Sequence, residues 1–238
     1  MSRSRSSVKQ LRALITVAAA SVLLAAVSLL VYPDVSHLKK ENPRKTSFME
    51  YREDEWRRQG KHVKINHLWT PLASISPHLV KAVLIAEDDK FWHHEGFDFA
   101  SIEKALKKGL EHRRFISGGS TVTQQLAKNL FLTPSKNPLR KLREAVITWR
   151  MEQALTKKRI LELYLNVAEW GEGVFGIGAA SFYYYGKPPS DLTPMEAARL
   201  ASVLPNPRKY NPTGASRYVE NRSRIIYGIM TKRGITEI

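Results

Sequence analysis

Residues 13–32, ALITVAAASVLLAAVSLLVY, run for 20 residues without a charge. As a helix rising about 1.5 Å per residue, such a run reaches roughly 30 Å, the thickness of a bilayer's hydrocarbon core. The preceding stretch, MSRSRSSVKQLR, carries Arg3, Arg5, Lys9 and Arg12 and no acid. The positive-inside rule therefore keeps residues 1–12 in the cytoplasm and places everything after Tyr32 across the membrane. A cleaved signal peptide is the alternative. Its apolar region usually has about 7 to 15 residues and ends in a small-residue cleavage site, whereas this run is longer and passes into bulky and then polar residues, LLVYPDVSHLKK. The expectation is a retained single-pass anchor over 13–32.

About 200 residues follow, enough for one domain with a sizeable core. The chain has no cysteine, which excludes a disulfide framework, thiol catalysis and cysteine-bound metals. No histidine or acidic cluster has the spacing of a structural zinc site. The net charge is +16, and the part beyond the anchor stays strongly basic when the four N-terminal cations are set aside. Such an excess usually points to nucleic acid. Outside a membrane the polyanions at hand are phospholipid headgroups and lipid-linked diphosphates, so a membrane partner is expected and nucleic acid is not.

Residues 33–68, with the dense run YREDEWRRQGKH, read as a linker or peripheral segment leading into a domain over 69–238. From Ser76 onward the punctuation is helical. Ser76-Pro77 supplies an N-cap and an N1 proline ahead of the stripe Leu79, Ala82, Val83, Ala86. Asp98 can cap a helix bearing Phe99, Ile102, Leu106 and Leu110. Ser120 or Thr121 opens another, with Val122, Leu126 and Leu130 four apart. Asn137-Pro138 begins a longer helix, Thr193-Pro-Met-Glu196 reads as a capping box whose helix stops at Pro205, and Ser216 to Lys232 is the last. Strand signals are few, so the fold class is mainly α.

Three patches carry chemistry. EDDKFWHHEGFD (residues 87–98) gathers acids and histidines at the end of an apolar helix, where a partly desolvated carboxylate gains basicity. The plain alternative is a charged helix end running into a turn at Gly96. SGGSTVTQQLAKN (117–129) places paired glycines before a helix start, which exposes N–H groups to an anion or a sugar. On that helix Thr121, Gln125 and Lys128 form a polar stripe, which in most proteins simply faces solvent. RKLRE (140–144) is either a local Arg140–Glu144 pair worth a few tenths of a kcal/mol or a diphosphate clamp beside a carboxylate. Composition does not decide between these readings.

Together, Glu87-Asp88-x-x-Phe91-x-x-His94-x-Gly96-x-Asp98, Gly118-Gly119-Ser120-Thr121-x-Thr123-Gln124-Gln125-Leu126-x-Lys128-Asn129, Arg140-Lys141-x-x-Glu144 and Lys157-x-x-Ile160-Leu161-Glu162-x-Tyr164-Leu165-Asn166 resemble, in order, the motifs of the peptidoglycan glycosyltransferases. RLASVLPNP (199–207) and Tyr210-Asn-Pro212 look like the closing motif, so the resemblance spans about Trp69 to Pro212. Val122 stands where a larger aliphatic residue is more usual, which keeps the apolar face. The tract NVAEWGEGVFGIGAASFYYYGK is similar to the monofunctional, biosynthetic subgroup of proteobacteria, without a penicillin-binding transpeptidase domain.

The resemblance implies an α-helical, two-lobed, lysozyme-like domain behind the anchor, on the periplasmic face of the bacterial inner membrane. It implies polymerisation of lipid II into β-1,4-linked glycan with release of undecaprenyl diphosphate and inversion at C1. Glu87 is then the base, and Glu144 assists the diphosphate directly or through a divalent cation (Mg2+ or Mn2+); no organic cofactor is expected. Asp88, Phe91, His94, Ser120, Thr121, Gln125, Lys128, Asn129, Arg140 and Lys141 fall among the substrate-binding residues, with Lys128, Arg140 and Lys141 on the phosphates. Glu162 and Asn166 read as structural, from helix periodicity. Partners would be lipid II, the lipid-linked glycan, the membrane and other wall-synthesis or division proteins. Two rivals stay open: a lysozyme-like hydrolase, which has no need of the basic set, and an anchored scaffold without catalysis.

Overall fold

Short polar side chains and prolines set most helix starts, because they satisfy or dispense with the first unpaired backbone N–H groups. The computed structural model describes residues 12, 14–24, 26–27, 33–112, 119–134 and 137–237. It divides into two units, Met1–Asp34 and Val35–Ile238. In the first, residues 14–24 are helical. Among the described residues no helix is long and apolar enough to cross a membrane. Residues 13, 25 and 28–32 of the expected anchor lie outside the described residues, as do Ser117 and Gly118 of the glycine-rich patch.

The second unit begins well before Trp69. Thr46 caps α1 (Ser47–Arg58) by accepting from the Met49 N–H, and Met49 and Trp56 are fully buried with Phe175. From Val35 onward, the segment expected as a linker over 33–68 is therefore part of this folded unit. Its two apolar anchors, two turns apart in a highly charged run, were too sparse to signal a buried face.

The helices that follow are α2 (Pro77–Glu87), α3 (Phe99–His112), α4 (Val122–Phe131), α5 (Pro138–Ala154), α6 (Lys157–Val167), α7 (Ile177–Tyr185), α8 (Pro194–Val203) and α9 (Arg217–Lys232). Asp98, Asn137 and Thr193 cap where expected: Asp98 accepts from Ser101, Asn137 accepts from Leu139, and Thr193 forms a capping box with Glu196. Ser76 does not use its hydroxyl as a cap; that group donates to Leu192 O at 3.0 Å and ties α2 to the approach of α8. A small sheet has the order β1–β3–β2, with β1 (Asn66–His67) parallel and β2 (Glu169–Gly171) antiparallel to β3 (Val174–Phe175).

Helix α4 packs against α1, α5 and α6, while α2 packs against α8 and α9. One apolar core runs through both groups and includes Leu79, Val83, Leu126, Met151, Ile160, Leu200 and Met230. This arrangement brings the end of α2 to the start of α4. Gly96 lies in the connection with φ +86, and a Cβ there would sit 2.8 Å from Thr148 Cγ2 on α5. A turn pressed that closely against a helix, with a left-handed backbone, accommodates glycine and little else.

Candidate active site

Glu87 is the last residue of α2, where the helix dipole disfavours a negative charge. Its side chain is 12% exposed. Gln125 Nε2, from α4, donates to Glu87 Oε2 at 2.8 Å. The other oxygen, Oε1, is buried without a hydrogen bond, and Arg222 Nη2 from α9 stands 3.6 Å from it. Burial raises the Glu87 pKa above the ordinary carboxylate range, against the opposing pull of Gln125, Arg222 and Lys128. An acid poised in this way is a stronger base once ionised.

Gln125 is itself held from behind. The phenol of Tyr164 on α6 donates to its Oε1 at 3.1 Å, and complete burial keeps Tyr164 protonated by raising its pKa well above the ordinary value. One turn along α4 is Lys128. Burial lowers its pKa, aided by Arg140 and Lys141, while Glu144 and Glu87 hold it up. Its ammonium thus feels both carboxylates. Glu144 is buried on α5; Arg140 Nη1 donates to its Oε2 at 2.8 Å, and Lys141 pairs with Oε1. The site therefore runs from a desolvated acid, through a lysine, to a second acid flanked by two cations.

Two cavities meet this line. A cleft of about 440 Å³ is walled by Glu87, Asp98, Lys104 and Ser120. A smaller one of about 180 Å³ is walled by Gln125, Lys128, Asn129, Arg52, Glu169 and Arg208. Glu87 lines the first and Gln125 the second, so their hydrogen bond links the two. Ser120 is exposed to the larger cleft and Asn129 is buried at the smaller.

Of the other expected contact residues, Asp88 and Thr121 also line the larger cleft, and all four make contacts within the fold. Asp88 Oδ1 accepts from His94 Nε2 at 2.9 Å and Oδ2 accepts from the Val122 N–H at 2.9 Å. Phe91 is fully buried and meets His94 edge-on. Thr121 caps α4 and donates to Gly96 O at 2.7 Å. These four fasten the end of α2 to the start of α4 and so place Glu87 opposite Gln125. Glu162 and Asn166 also bond within the fold: Glu162 accepts from the Leu72 N–H, and Asn166 exchanges two hydrogen bonds with the Thr70 backbone.

Arg222 and Tyr164 were not identified from sequence as site residues. Tyr164 sits in a quoted motif, but only its contact with Gln125 gives it a role. Arg222 is one cation among several on α9, and its contact with α2 spans 136 residues. Among the described residues no group of three or more histidines and acids could hold a metal ion.

Comparison with known proteins identifies the family. A family model described as transglycosylase matches residues 55–231, a range that contains the whole line from Glu87 to Arg222. A biosynthetic peptidoglycan transglycosylase of Azoarcus sp. (strain BH72) is 50% identical over 209 residues, covering 85% of this chain and 90% of that protein. Proteins of the same name from Nitrosospira multiformis and Laribacter hongkongensis are 44% and 40% identical, covering 86% and 88% of this chain and 89% and 92% of their own lengths. With the match extending over most of both chains, this protein belongs to the transglycosylase family.

Proposed function

We propose that this chain is a peptidoglycan glycosyltransferase that polymerises lipid II. The growing glycan, α-linked at its reducing end to undecaprenyl diphosphate, is the donor, and the 4-hydroxyl of lipid II is the acceptor. The observation that carries the reading is the line Glu87–Lys128–Glu144 with its cations. Glu87 takes the acceptor proton as the hydroxyl oxygen attacks C1. The C1–O bond to diphosphate breaks on the opposite face, so the new bond is β. Lys128, Arg140 and Lys141 receive the charge that develops on the departing diphosphate. Ser120 and Asn129 are placed to meet sugars in the two cavities, and Gln125 to hold Glu87.

A divalent cation enters this proposal as a companion of the diphosphate. Glu144 has both oxygens engaged by Arg140 and Lys141, and one carboxylate between two cations does not fit a metal held by protein ligands alone. No step here depends on one.

A cell-envelope location follows from the reaction. The 13–32 run supports the finer proposal that an anchor holds a two-lobed, lysozyme-like domain on the periplasmic face of the inner membrane, close to both lipid-linked substrates and to other wall-synthesis proteins.

The test is to incubate the purified full chain with labelled lipid II beside Glu87→Gln. Polymer that lysozyme degrades, made by the wild type and not by the variant, is expected. Polymer from both would remove Glu87 from the role of base. Shortening of preformed glycan would make the protein a hydrolase, and no turnover by a folded wild type would make it a scaffold.

A further inference from the structure

Residues 204–208 follow α8 and line the smaller cavity together with Lys128. The segment opens with a turn in which the Asn206 N–H donates to Val203 O at 2.9 Å. Pro205 and Pro207 fix two of its φ angles and leave two positions with no N–H to donate. Further along, the chain is tied back to α8, because the Arg199 guanidinium donates to Pro212 O and Gly214 O. At the cavity the tie is ionic. Arg208 Nη1 donates to Glu55 Oε2 at 2.8 Å, across 153 residues.

Glu55 lies on α1 and is shared. The same Oε2 accepts from Arg52 Nη1 at 2.8 Å, and Arg52 is fixed in turn by buried Glu169. One carboxylate thus joins an arginine of α1 to an arginine of the loop. The Glu55 and Arg208 side chains are only 22% and 25% exposed, so their attraction is screened less than that of a surface pair. Partial burial pushes the Glu55 pKa up, and Arg52 and Arg208 nonetheless hold it below the ordinary value. Arg52 and Arg208 line the cavity, and Glu55 is not among its lining residues.

We propose that Glu55 is a positioning residue: through Arg208 it holds residues 204–208 at the smaller cavity, and the loop held in this way retains the growing glycan between one addition and the next. The inference rests on the function proposed above and adds how the strand is kept. A glycan whose diphosphate lies on Lys128 has this loop and α1 as neighbours, because both share the cavity with the lysine. Strand length is set by the rate of addition against the rate of release. Contacts from a cavity wall act mainly on release, so a loosened wall shortens the product and spares the chemical step.

The experiment measures strand length and lipid II consumption together, with the purified full chain. Arg208→Gln leaves Glu55 paired with Arg52, and Glu55→Gln leaves Arg52 paired with Glu169, so neither strands a buried charge. Each should shorten the mean strand at least about threefold and keep the rate of consumption within about twofold. The double variant should be no shorter than either single one, since both remove the same contact. Glu172→Gln is the control: it removes an equal charge 3.7 Å from Arg208 Nη2, from a side chain that is 43% exposed, and should leave strand length unchanged. Shortening in Arg208→Gln alone would mean that the arginine acts on the glycan directly, which overturns the role of Glu55. Additive shortening in the double variant, or equal shortening in Glu172→Gln, would overturn it as well. So would a fall in consumption at unchanged strand length, which is the mark of a purely structural contact. In each of those outcomes the proposed reaction stands, whereas a folded wild type that makes no polymer would remove the reaction and this inference together.

Discussion

The amide of Gln125 donates to Glu87 at 2.8 Å while its carbonyl accepts from Tyr164 at 3.1 Å, so the acid at the end of α2 is oriented by a side chain that is itself oriented from the core. This two-step support is what a general base needs, because a carboxylate free to rotate would lose its aim at the acceptor hydroxyl. Removing the rear support should leave chemistry possible but imprecise. Tyr164→Phe is expected to lower kcat about tenfold with little change in KM, measured by steady-state polymerisation of lipid II.

The pH dependence follows from Glu87. As the proposed base it must be ionised to accept a proton, and burial raises its pKa, so activity should fall as pH drops through a value above the ordinary carboxylate range. Arg222 pulls that pKa down from 3.6 Å. Arg222→Gln should therefore move the acid limb of the profile further toward alkaline pH, and Arg222→Lys should move it part of the way back. A profile unchanged in Arg222→Gln would show that the guanidinium acts on structure alone.

Stability should show the same group with the opposite sign. A carboxyl whose pKa is raised by folding stabilises the protein while protonated, and that contribution is lost as pH rises through the folded-state value. Glu87→Gln has no such loss. Its melting temperature relative to wild type should therefore climb as pH rises from the ordinary carboxylate range through the folded-state value of Glu87, in thermal scans across buffers.

Asp88 joins the end of α2 to the start of α4. Its carboxylate satisfies both His94 and the first N–H of α4. Asp88→Ala leaves two donors behind and should cost about 2–4 kcal/mol, read by urea denaturation, with activity falling only as far as the folded fraction does.

Arg52 should reveal how firmly α1 belongs to the domain. It donates to buried Glu169 at 2.7 Å and to Glu55 at 2.8 Å, and burial raises the Glu169 pKa against the pull of Arg52. Arg52→Met strands that acid at a cost of about 3–5 kcal/mol. Adding Glu169→Gln should recover more than half of the loss, which a double-mutant cycle would measure.

What could be read from sequence and what could not divide along a physical line. The caps at Asp98, Asn137 and Thr193 act within four residues, and the stripes of α2 and α4 repeat within a turn or two. Local spacing carries that information. Glu87 was legible for the same reason, as an acid closing an apolar helix. Ser76 looked like a cap and bonds instead to Leu192, 116 residues away. Asp88, Phe91, His94 and Thr121 share a motif with Glu87, and the bonds by which Asp88 and Thr121 fasten α2 to α4 are not recorded in that spacing. Arg222 and the pairing of Arg52 with Glu169 depend on distant segments meeting, which no spacing records.

The meeting of α9 with α2 has a consequence for how the molecule is made. Arg222 reaches Ala86 and Glu87, and Arg233 grips Asp89 at 2.6 Å across 144 residues. A chain synthesised from its N-terminus has laid down its buried acid, its lysine and its second acid long before these arginines leave the ribosome. Until they arrive, the acid at the end of α2 has no guanidinium beside it, so its surroundings take their final electrostatic form only as the last helix docks.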